Sequence, residues 1–272
     1  YTIAIDVVMP DGRTLQVASV HHYRDQWARA FDVTYEDASG NQQYVHQTTY
    51  GMSERLLGAI VASHGDDKGL VMPPPVAPVQ VVVIPIISKG DSSEVISESE
   101  RITSELKSAG IRVRLDSRDI RPGQKYYDWE IKGVPLRVEI GPRDLANSSV
   151  MCVRRTGGKQ SHSMDNLVDT VRSELGTIGE EMKKQSSDHF NSRIKMLPAF
   201  TINGTDLIFD QAIEKGTVYE MAFDGNDAEA EMIEKGTDLS FLGDSTTAYQ
   251  KKVPCVITGK PTTRRIFLAK PY

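Results

Sequence analysis

Residues 80–186 alternate between strand and helix patterns, and this alternation constrains the fold more than any other feature of the chain. Residues 81–87 are an apolar run rich in β-branched side chains, which is typical of a strand buried on both faces. Strands that alternate with helices predict a mostly parallel sheet with helices on its faces. The further strand patterns lie at 111–115, 134–140 and 150–154, and the helix patterns at 95–109, 123–132 and 164–182.

The segments on either side of this block have different patterns. Residues 1–49 alternate apolar and polar side chains over short spans separated by turn signals, which predicts an antiparallel meander with a short helix near 24–30. Such a meander is expected to be part of a larger antiparallel sheet domain. The proline-rich residues 72–79 form the clearest predicted boundary, because proline excludes regular helix and central strand.

Composition narrows the class of protein. The chain of 272 residues has 25% charged and 39% hydrophobic side chains, as a globular protein does. No apolar run approaches the ~20 residues that cross a bilayer, so no membrane association is expected. The first residues resemble a strand rather than a signal peptide, and the two cysteines suit a reducing compartment, so a cytoplasmic location is predicted.

Charge is distributed unevenly along a chain of net charge -5. Residues 110–160 contain 11 Lys or Arg against 6 Asp or Glu, whereas residues 206–245 contain 2 against 11. The net negative charge of the whole chain argues against general binding to DNA. A basic segment inside an acidic protein suits a confined face that contacts phosphates. Solvation of helix faces is the alternative explanation for any single cluster.

Residues 50–74 place a glycine, an arginine and an apolar run in an order that suits a phosphate site. Gly51 is followed four residues later by Arg55, and residues 56–62 have the composition of a buried helix. Arg55 is therefore predicted in the first turn of that helix, where a rigid guanidinium is well suited to a polyphosphate. From Arg55 alone, a surface arginine paired with a carboxylate remains the more common arrangement.

The same stretch resembles motif 3 of the class II aminoacyl-tRNA synthetases, through Gly51-x-x-Glu54-Arg55 and the apolar residues that follow. Its continuation from His64, His-Gly-Asp-Asp-Lys-Gly-Leu-Val-Met-Pro-Pro, is similar to the archaeal/eukaryotic-type prolyl-tRNA synthetases in particular. The resemblance implies that Arg55 is catalytic and holds the ATP phosphates, and that Ser53 belongs to the proline site.

A second match to the prolyl enzymes lies upstream. Gln16-x-x-Ser19-x-His21 is similar to their Gln-x-x-Thr-x-His, and an Ala-x-Ala-Phe segment ending at Phe31 is similar to their Ala-Lys-Ala-Phe. The resemblance implies that Gln16 and Ser19 bind ATP and that His21 binds proline. Without it, a solvated edge glutamine and a hydrogen-bonded strand histidine are the simpler assignments.

Residues 129–144, Trp-Glu-Ile-Lys-Gly-Val-Pro-Leu-Arg-Val-Glu-Ile-Gly-Pro-Arg-Asp, resemble the anticodon-binding domain of the same family. The resemblance implies that Glu130, Arg137 and Arg143 recognise the guanines of the proline anticodon. The chemistry is reasonable, because a carboxylate accepts from guanine N1–H and N2–H and an arginine donates to O6 and N7. An ordinary Glu130–Arg137 ion pair at the rim of the sheet is the alternative.

The acidic C-terminal region corresponds to a domain that holds zinc with four cysteines in many relatives. Here Cys255 occupies one ligand position, and Thr258, Asp224 and Ala228 stand at the other three. Structural zinc needs four good donors, so zinc is not expected. The family also tends to end in a tyrosine near the active site; for Tyr272 this role and a frayed terminus are equally supported.

The resemblance covers essentially the whole chain and implies the C-terminal portion of a prolyl-tRNA synthetase. The expected fold combines α/β and α+β domains: part of a class II antiparallel sheet (1–75), an α/β anticodon-binding domain with a mixed sheet (76–187) and a small α+β domain (188–272). The implied substrates are ATP with Mg²⁺, proline and tRNA(Pro), and a homodimer is expected.

A non-catalytic tRNA-binding module derived from a synthetase is the alternative function. Motifs 1 and 2 are expected upstream of Tyr1, so the chain alone is not expected to catalyse pyrophosphate exchange. Loss of one charge stabiliser costs about 10²–10³ in rate.

Overall fold

The computed structural model describes residues 1–87 and 92–272. These residues form two compact units, one made of Tyr1–Ala59 with His189–Tyr272 and the other of Ile60–Asp188. They are called here unit one and unit two. In the described ranges, no helix is both long enough and apolar enough to cross a membrane.

The secondary structure follows the chain in three stretches. The first contains β1 (Thr2–Val8), β2 (Thr14–Arg24), α1 (Gln26–Phe31), β3 (Thr34–Glu36), β4 (Gln42–Tyr44), β5 (Gln47–Met52) and α2 (Arg55–His64). The second contains β6 (Val81–Pro85), α3 (Ser93–Ser108), β7 (Val113–Leu115), α4 (Pro122–Ile131), β8 (Leu136–Ile140), α5 (Pro142–Ala146), β9 (Ser149–Arg154), β10 (Lys159–Ser163) and α6 (Leu167–Ser192). The third contains β11 (Ile194–Met196), β12 (Phe200–Asn203), β13 (Asp206–Phe209), β14 (Val218–Ala222), α7 (Asp227–Thr237), β15 (Ser240–Asp244), β16 (Val253–Pro254), β17 (Pro261–Thr262) and β18 (Arg265–Ala269).

Unit one contains an antiparallel sheet of order β1-β2-β5. Helix α2 packs on it through Ala59, which joins a small core with Met9 and Val17. The predicted antiparallel strands and the helix after Gly51 are confirmed. The short helix predicted near 24–30 is α1, which ends at Phe31, and β3 pairs with β4 in a separate hairpin.

The rest of unit one is a second sheet of order β11-β14-β18-β15 with α7. The capping box of Asn226 and Glu229 begins α7, whose Ile233 is fully buried among apolar strand residues. Strand β18 lies in the middle of the sheet and pairs antiparallel with β14 and β15. The C-terminal residues after 188 therefore have the predicted α+β character.

Unit two is built on a mixed sheet of order β10-β9-β8-β6-β7. Strand β6 pairs parallel with β7 and β8, whereas β8, β9 and β10 pair antiparallel. The predicted alternation of strands and helices and the mixed sheet are confirmed. The expectation of a mostly parallel sheet is corrected, because β10, which the sequence pattern did not show, forms a hairpin with β9.

The two faces of this mixed sheet carry different helices. On one face, Val83 and Val138 pack with residues of α3 and α6, including Ile102 and Ile178, in the largest apolar cluster of unit two. The other face carries Val82, against which Tyr126 and Trp129 of α4 pack. Helix α4 is thus fixed to the face on which the alternate residues of β8 are polar.

A buried carboxylate fixes α4 to the end of β7. The Asp116 side chain is 1% exposed and accepts hydrogen bonds from Arg118 Nη2 at 2.7 Å and from Trp129 Nε1 at 2.7 Å. The buried Lys125 donates to the Asp116 carbonyl at 3.0 Å. The hydrogen bonds from Arg118, with the Trp129 indole adding to them against the effect of burial, lower the pKa of Asp116 to about 2.

We expect Asp116→Asn to lower the free energy of unfolding of unit two by about 2 kcal/mol at pH 7. The pKa is lowered from 3.8 to about 2, so the ionised carboxylate stabilises the folded state above the unfolded pKa. This stability is lost as the pH falls through the folded pKa. The difference between the two proteins should therefore shrink between pH 4 and pH 2.

Urea unfolding followed by Trp129 fluorescence in a Trp27→Phe background measures this effect, because these are the two tryptophans of the chain. Asp119→Asn, in an exposed position of the same loop, is the matched control and should change stability by less than about 0.5 kcal/mol. Equal stabilities of the Asp116 and Asp119 variants would contradict the network.

Candidate functional site

A β-bulge in β2 decides which side chains of unit one share a face. Asp6 pairs with Gln16 and Ile5 pairs with Ala18, so Val17 is an extra residue on β2. Side chains alternate between the two faces of the sheet along a strand. One extra residue therefore places Gln16 on the face opposite to the one it would occupy in an unbroken strand.

The same register places the other predicted residues of β2 on the face of Gln16. Ser19 pairs with Ala4 and His21 pairs with Thr2, and Ala4 and Thr2 lie on the same side of β1 as Asp6. The structure therefore brings Gln16, Ser19 and His21 together on one face, called here the polar face of β2.

The His21 ring is held between two hydroxyl groups. Its Nδ1 lies 2.9 Å from Thr2 Oγ1, and its Nε2 lies 3.0 Å from Ser19 Oγ. A hydroxyl can donate or accept, so both ring nitrogens are satisfied in either neutral tautomer. The ring also stacks on Tyr23 at 5.5 Å, and Tyr23 contacts Trp27 edge-on at 6.0 Å. The His21 ring is thus fixed in position, with an aromatic surface beside it.

Strand β5 brings Arg55 to the end of this face. Gly51 pairs with Ser19, and the Ser53 amide donates to the Val17 carbonyl at 3.2 Å, after which α2 begins at Arg55. Arg55 Nη1 lies 3.4 Å from the Gln16 carbonyl oxygen and the side chain is exposed. Helix α2 itself packs on the opposite face, and the contact of Arg55 is with the main chain of Gln16.

The polar face therefore offers a set of groups suited to an anionic, partly planar ligand. It combines an amide, a hydroxyl, an imidazole and a guanidinium, and Gly51 leaves the surface opposite Ser19 without a side chain. A Cβ at Gly51 would have Ser19 Oγ as its nearest neighbour, at 3.9 Å. Such groups can bind and orient a ligand, and the Arg55 guanidinium can stabilise negative charge on that ligand.

A second candidate site lies on the α4 side of the sheet in unit two. Glu130 and Arg137 line one small cleft of about 60 Å³, with Arg154 and Arg155 among its other walls. This volume is too small to enclose a nucleotide and suits the edge of a base. The structure thus brings two of the three predicted guanine-reading residues together in a basic setting.

The charges in this cleft are paired with other residues. Arg137 Nε lies 2.8 Å from Glu139 Oε1, and its guanidinium stacks on Tyr126 at 4.0 Å. Glu130 Oε1 lies 3.6 Å from Lys68 Nζ. The alternative of a direct Glu130–Arg137 ion pair is therefore wrong for the described residues.

Arg143 lies elsewhere in unit two. It is exposed in α5, after β8 ends at Ile140, whereas Arg137 is near the beginning of β8. The structure does not place Arg143 among the residues that line the cleft.

Residues 80–174, which lie in unit two, match the family described as "Anticodon binding domain". A proline--tRNA ligase of Methanocorpusculum labreanum is 44% identical over 264 residues, which cover 96% of this chain and 54% of that protein. One from Thermococcus kodakarensis is 42% identical over 265 residues, with the same coverage of 96% and 54%. The chain is similar to prolyl-tRNA synthetases over nearly its whole length.

The fold agrees with that of a solved prolyl-tRNA synthetase. The Giardia lamblia enzyme in complex with prolyl-adenylate matches with a TM-score of 0.85 and 28% identity, over 100% of this chain and 58% of that chain. The chain spans about half the length of the synthetases it matches. The family resemblance seen in the sequence is confirmed.

Two further predicted features, Tyr272 and the Cys255 region, lie in unit one. The Tyr272 amide donates to the Thr14 carbonyl at 3.0 Å, its hydroxyl donates to Asp11 at 2.9 Å, and Arg13 covers its ring at 3.8 Å. The last residue is therefore bound to the beginning of β2, two residues before Gln16. Its proposed approach to the active site stays a prediction.

Cys255 is buried in the apolar cluster of unit one. Burial raises the pKa of its thiol, but hydrogen bonds from Thr258 and from the amides of Ile257 and Asp224 outweigh burial and lower it overall. The amide of Asp224 lies 3.2 Å from Sγ. In the described ranges, no three His, Cys, Asp or Glu side chains are arranged to hold a metal ion.

The sequence did not single out two charged residues that lie beside Arg137 on the α4 side of the sheet in unit two. Glu139 follows Arg137 by two residues on the same strand, so strand alternation could have shown that they share a face. Lys159 joins them through β10, where its Nζ lies 3.3 Å from Glu139 Oε2. That contact depends on strand pairing and had no local signal.

Because the Glu139 side chain is only 7% exposed, Arg137→Ala should cost this synthetase fold about 3 kcal/mol of stability, by leaving a buried carboxylate with Lys159 alone. Adding Glu139→Gln should recover at least half of this loss. The double-mutant cycle is measured by urea unfolding of unit two, followed by Trp129 fluorescence. Additive effects would show that the two side chains are not coupled.

Proposed function

We propose that this chain is part of an enzyme that activates proline with ATP and attaches it to tRNA(Pro). The observation that carries the proposal is the polar face of β2, where a bulge gathers Gln16, Ser19 and His21 beside Arg55. The solved relative in complex with prolyl-adenylate supports the same chemistry. In this proposal, the oxygen of the proline carboxylate attacks the α-phosphorus of ATP and pyrophosphate leaves.

The residues of the polar face act by positioning and by charge stabilisation. Gln16 and Ser19 bind the adenosine part, His21 and Ser53 border the proline pocket, and Arg55 neutralises the phosphates. No protein nucleophile is needed, because the substrate carboxylate supplies one. The proposed limits of the catalytic part, 1–75, include all five residues.

Mg²⁺ is expected to accompany ATP in such a reaction. In the part of the chain that the structure describes, no acidic or histidine cluster is arranged to hold a metal ion. The residues present therefore do not form a Mg²⁺ site of their own, and no step is assigned to the ion. We also propose a zinc-less C-terminal region (188–272), a homodimer and a cytoplasmic location.

The proposed anticodon-binding part, 76–187, reads guanines in an unpaired loop. Glu130 accepts from N1–H and N2–H, and Arg137, fixed flat on Tyr126, donates toward O6 and N7. Arg143, at the other end of β8, contacts a neighbouring nucleotide. A non-catalytic tRNA-binding module is the second candidate; the presence of Gln16, His21 and Arg55 on one surface favours the enzyme.

Binding of tRNA(Pro) transcripts to this chain tests the RNA half of the proposal. Replacing an anticodon guanine with adenine should weaken binding by about tenfold or more, because each base-edge pair contributes roughly 1–3 kcal/mol of discrimination. Filter binding at fixed salt measures the ratio. Equal affinity for the two transcripts would contradict anticodon reading and leave only general charge attraction.

Arg55→Ala should weaken binding of a non-hydrolysable prolyl-adenylate analogue and of ATP by about tenfold, because the phosphate loses a charge-assisted donor. Isothermal titration of this chain measures both. Arg29→Ala is the matched control: Arg29 is an exposed arginine of α1 in the same unit, paired with Asp25, and its loss should leave affinity unchanged. Equal affinities of the two variants, or no binding by the unsubstituted chain, would contradict the assignment of Arg55.

A further inference from the structure

The segment Gly65–Met72, which follows α2, packs against the C-terminal end of α4 within unit two. The Leu70 amide donates to the Ile131 carbonyl at 3.0 Å, and the Met72 amide donates to the Gly133 carbonyl at 3.2 Å. A Cβ on Gly69 (φ +129) would lie 2.6 Å from Ile131 Cα. The two backbones therefore approach each other as closely as they can, directly beside Glu130.

An ion pair locks this segment in place. Arg155, whose side chain is 4% exposed, donates from Nη1 and Nη2 to the two carboxylate oxygens of Asp66 at 2.8 and 2.5 Å. Its Nε also donates to the Glu130 carbonyl at 3.2 Å. Through these bonds, Arg155 lowers the pKa of Asp66 to about 2. One buried guanidinium thus joins the segment to the residue that is proposed to read guanine.

Lys68 lies beside the Glu130 side chain as a result. Its amide donates to Asp66 Oδ1 at 2.9 Å, which fixes its backbone, and its side chain is 68% exposed. Its Nζ lies 3.6 Å from Glu130 Oε1. The carboxylate of Glu130 therefore has a cation beside its Oε1 oxygen.

We propose that Lys68 is a positioning residue for guanine recognition, and that the Asp66–Arg155 pair holds it in that position. This inference rests on the proposed function. A carboxylate reads guanine N1–H and N2–H only when it is ionised and correctly turned. Lys68, 3.6 Å from the carboxylate, restrains the rotation of the Glu130 side chain, so the segment after α2 contributes to guanine recognition through Glu130.

Guanine-to-inosine replacement in the anticodon of a tRNA(Pro) transcript tests this, because it removes only the 2-amino group that a carboxylate would bind. The unsubstituted chain should prefer guanine by about tenfold, as expected for one hydrogen bond to a charged group. Lys68→Gln should reduce this preference at least threefold, and Lys68→Arg should keep it. Lys107→Gln, at an exposed position of α3 in the same unit, removes the same charge and should leave the preference unchanged.

The remaining outcomes separate this inference from simpler ones. If Lys68→Gln weakens guanine and inosine transcripts equally and lowers the salt dependence, Lys68 contacts phosphate and the proposal is wrong. Asp66→Asn should lower the preference as Lys68→Gln does, while circular dichroism shows the fold retained; a full preference in that variant would overturn the role of the ion pair. If the unsubstituted chain does not distinguish the transcripts, the proposed anticodon reading itself fails.

Discussion

The extra residue in β2 is the constraint on which the polar face depends. Without Val17 as a bulge, Gln16 would point to the side of Ala18, where α2 and the apolar residues pack. On the other side of β2, the Val17 carbonyl accepts a hydrogen bond from the Ser53 amide, which brings the beginning of α2 to the same end of the sheet. The bulge thus positions the Gln16 side chain, and the pairing with β5 positions Arg55 beside it.

In unit two, the position of α4 depends on charged groups that are buried. Asp116 holds α4 through Lys125 in the middle of the helix and through Trp129, and Arg155 holds the C-terminal end through the Glu130 carbonyl. A helix fixed at both points presents the Glu130 side chain in one orientation. Buried ionic groups add little net stability when well paired, but losing one partner is costly, so such groups specify geometry more than they add stability.

Much of this architecture follows from local sequence. Three elements can be recognised from a short window of residues: the buried strand β6, the helix that begins at Arg55 and the amphipathic helix α6. The bulge at Val17 does not, because a register shift is a property of two strands rather than of one. The contact of Lys68 with Glu130 joins residues far apart in the chain, so neither could signal the other. For the same reason, the Glu130–Arg137 pair seemed reasonable in sequence and is replaced in the structure by two different ion pairs.

The close approach at Gly69 has a consequence for anyone who wishes to redesign the base preference of this cleft. Gly133 makes the reciprocal contact, since a Cβ there would lie 2.7 Å from Leu70, and its φ of +69° is one that side chains disfavour. A side chain at either glycine would therefore force the two main chains apart. If Lys68 has the role proposed above, changes of base preference are better sought at the lysine than at the two glycines beside it.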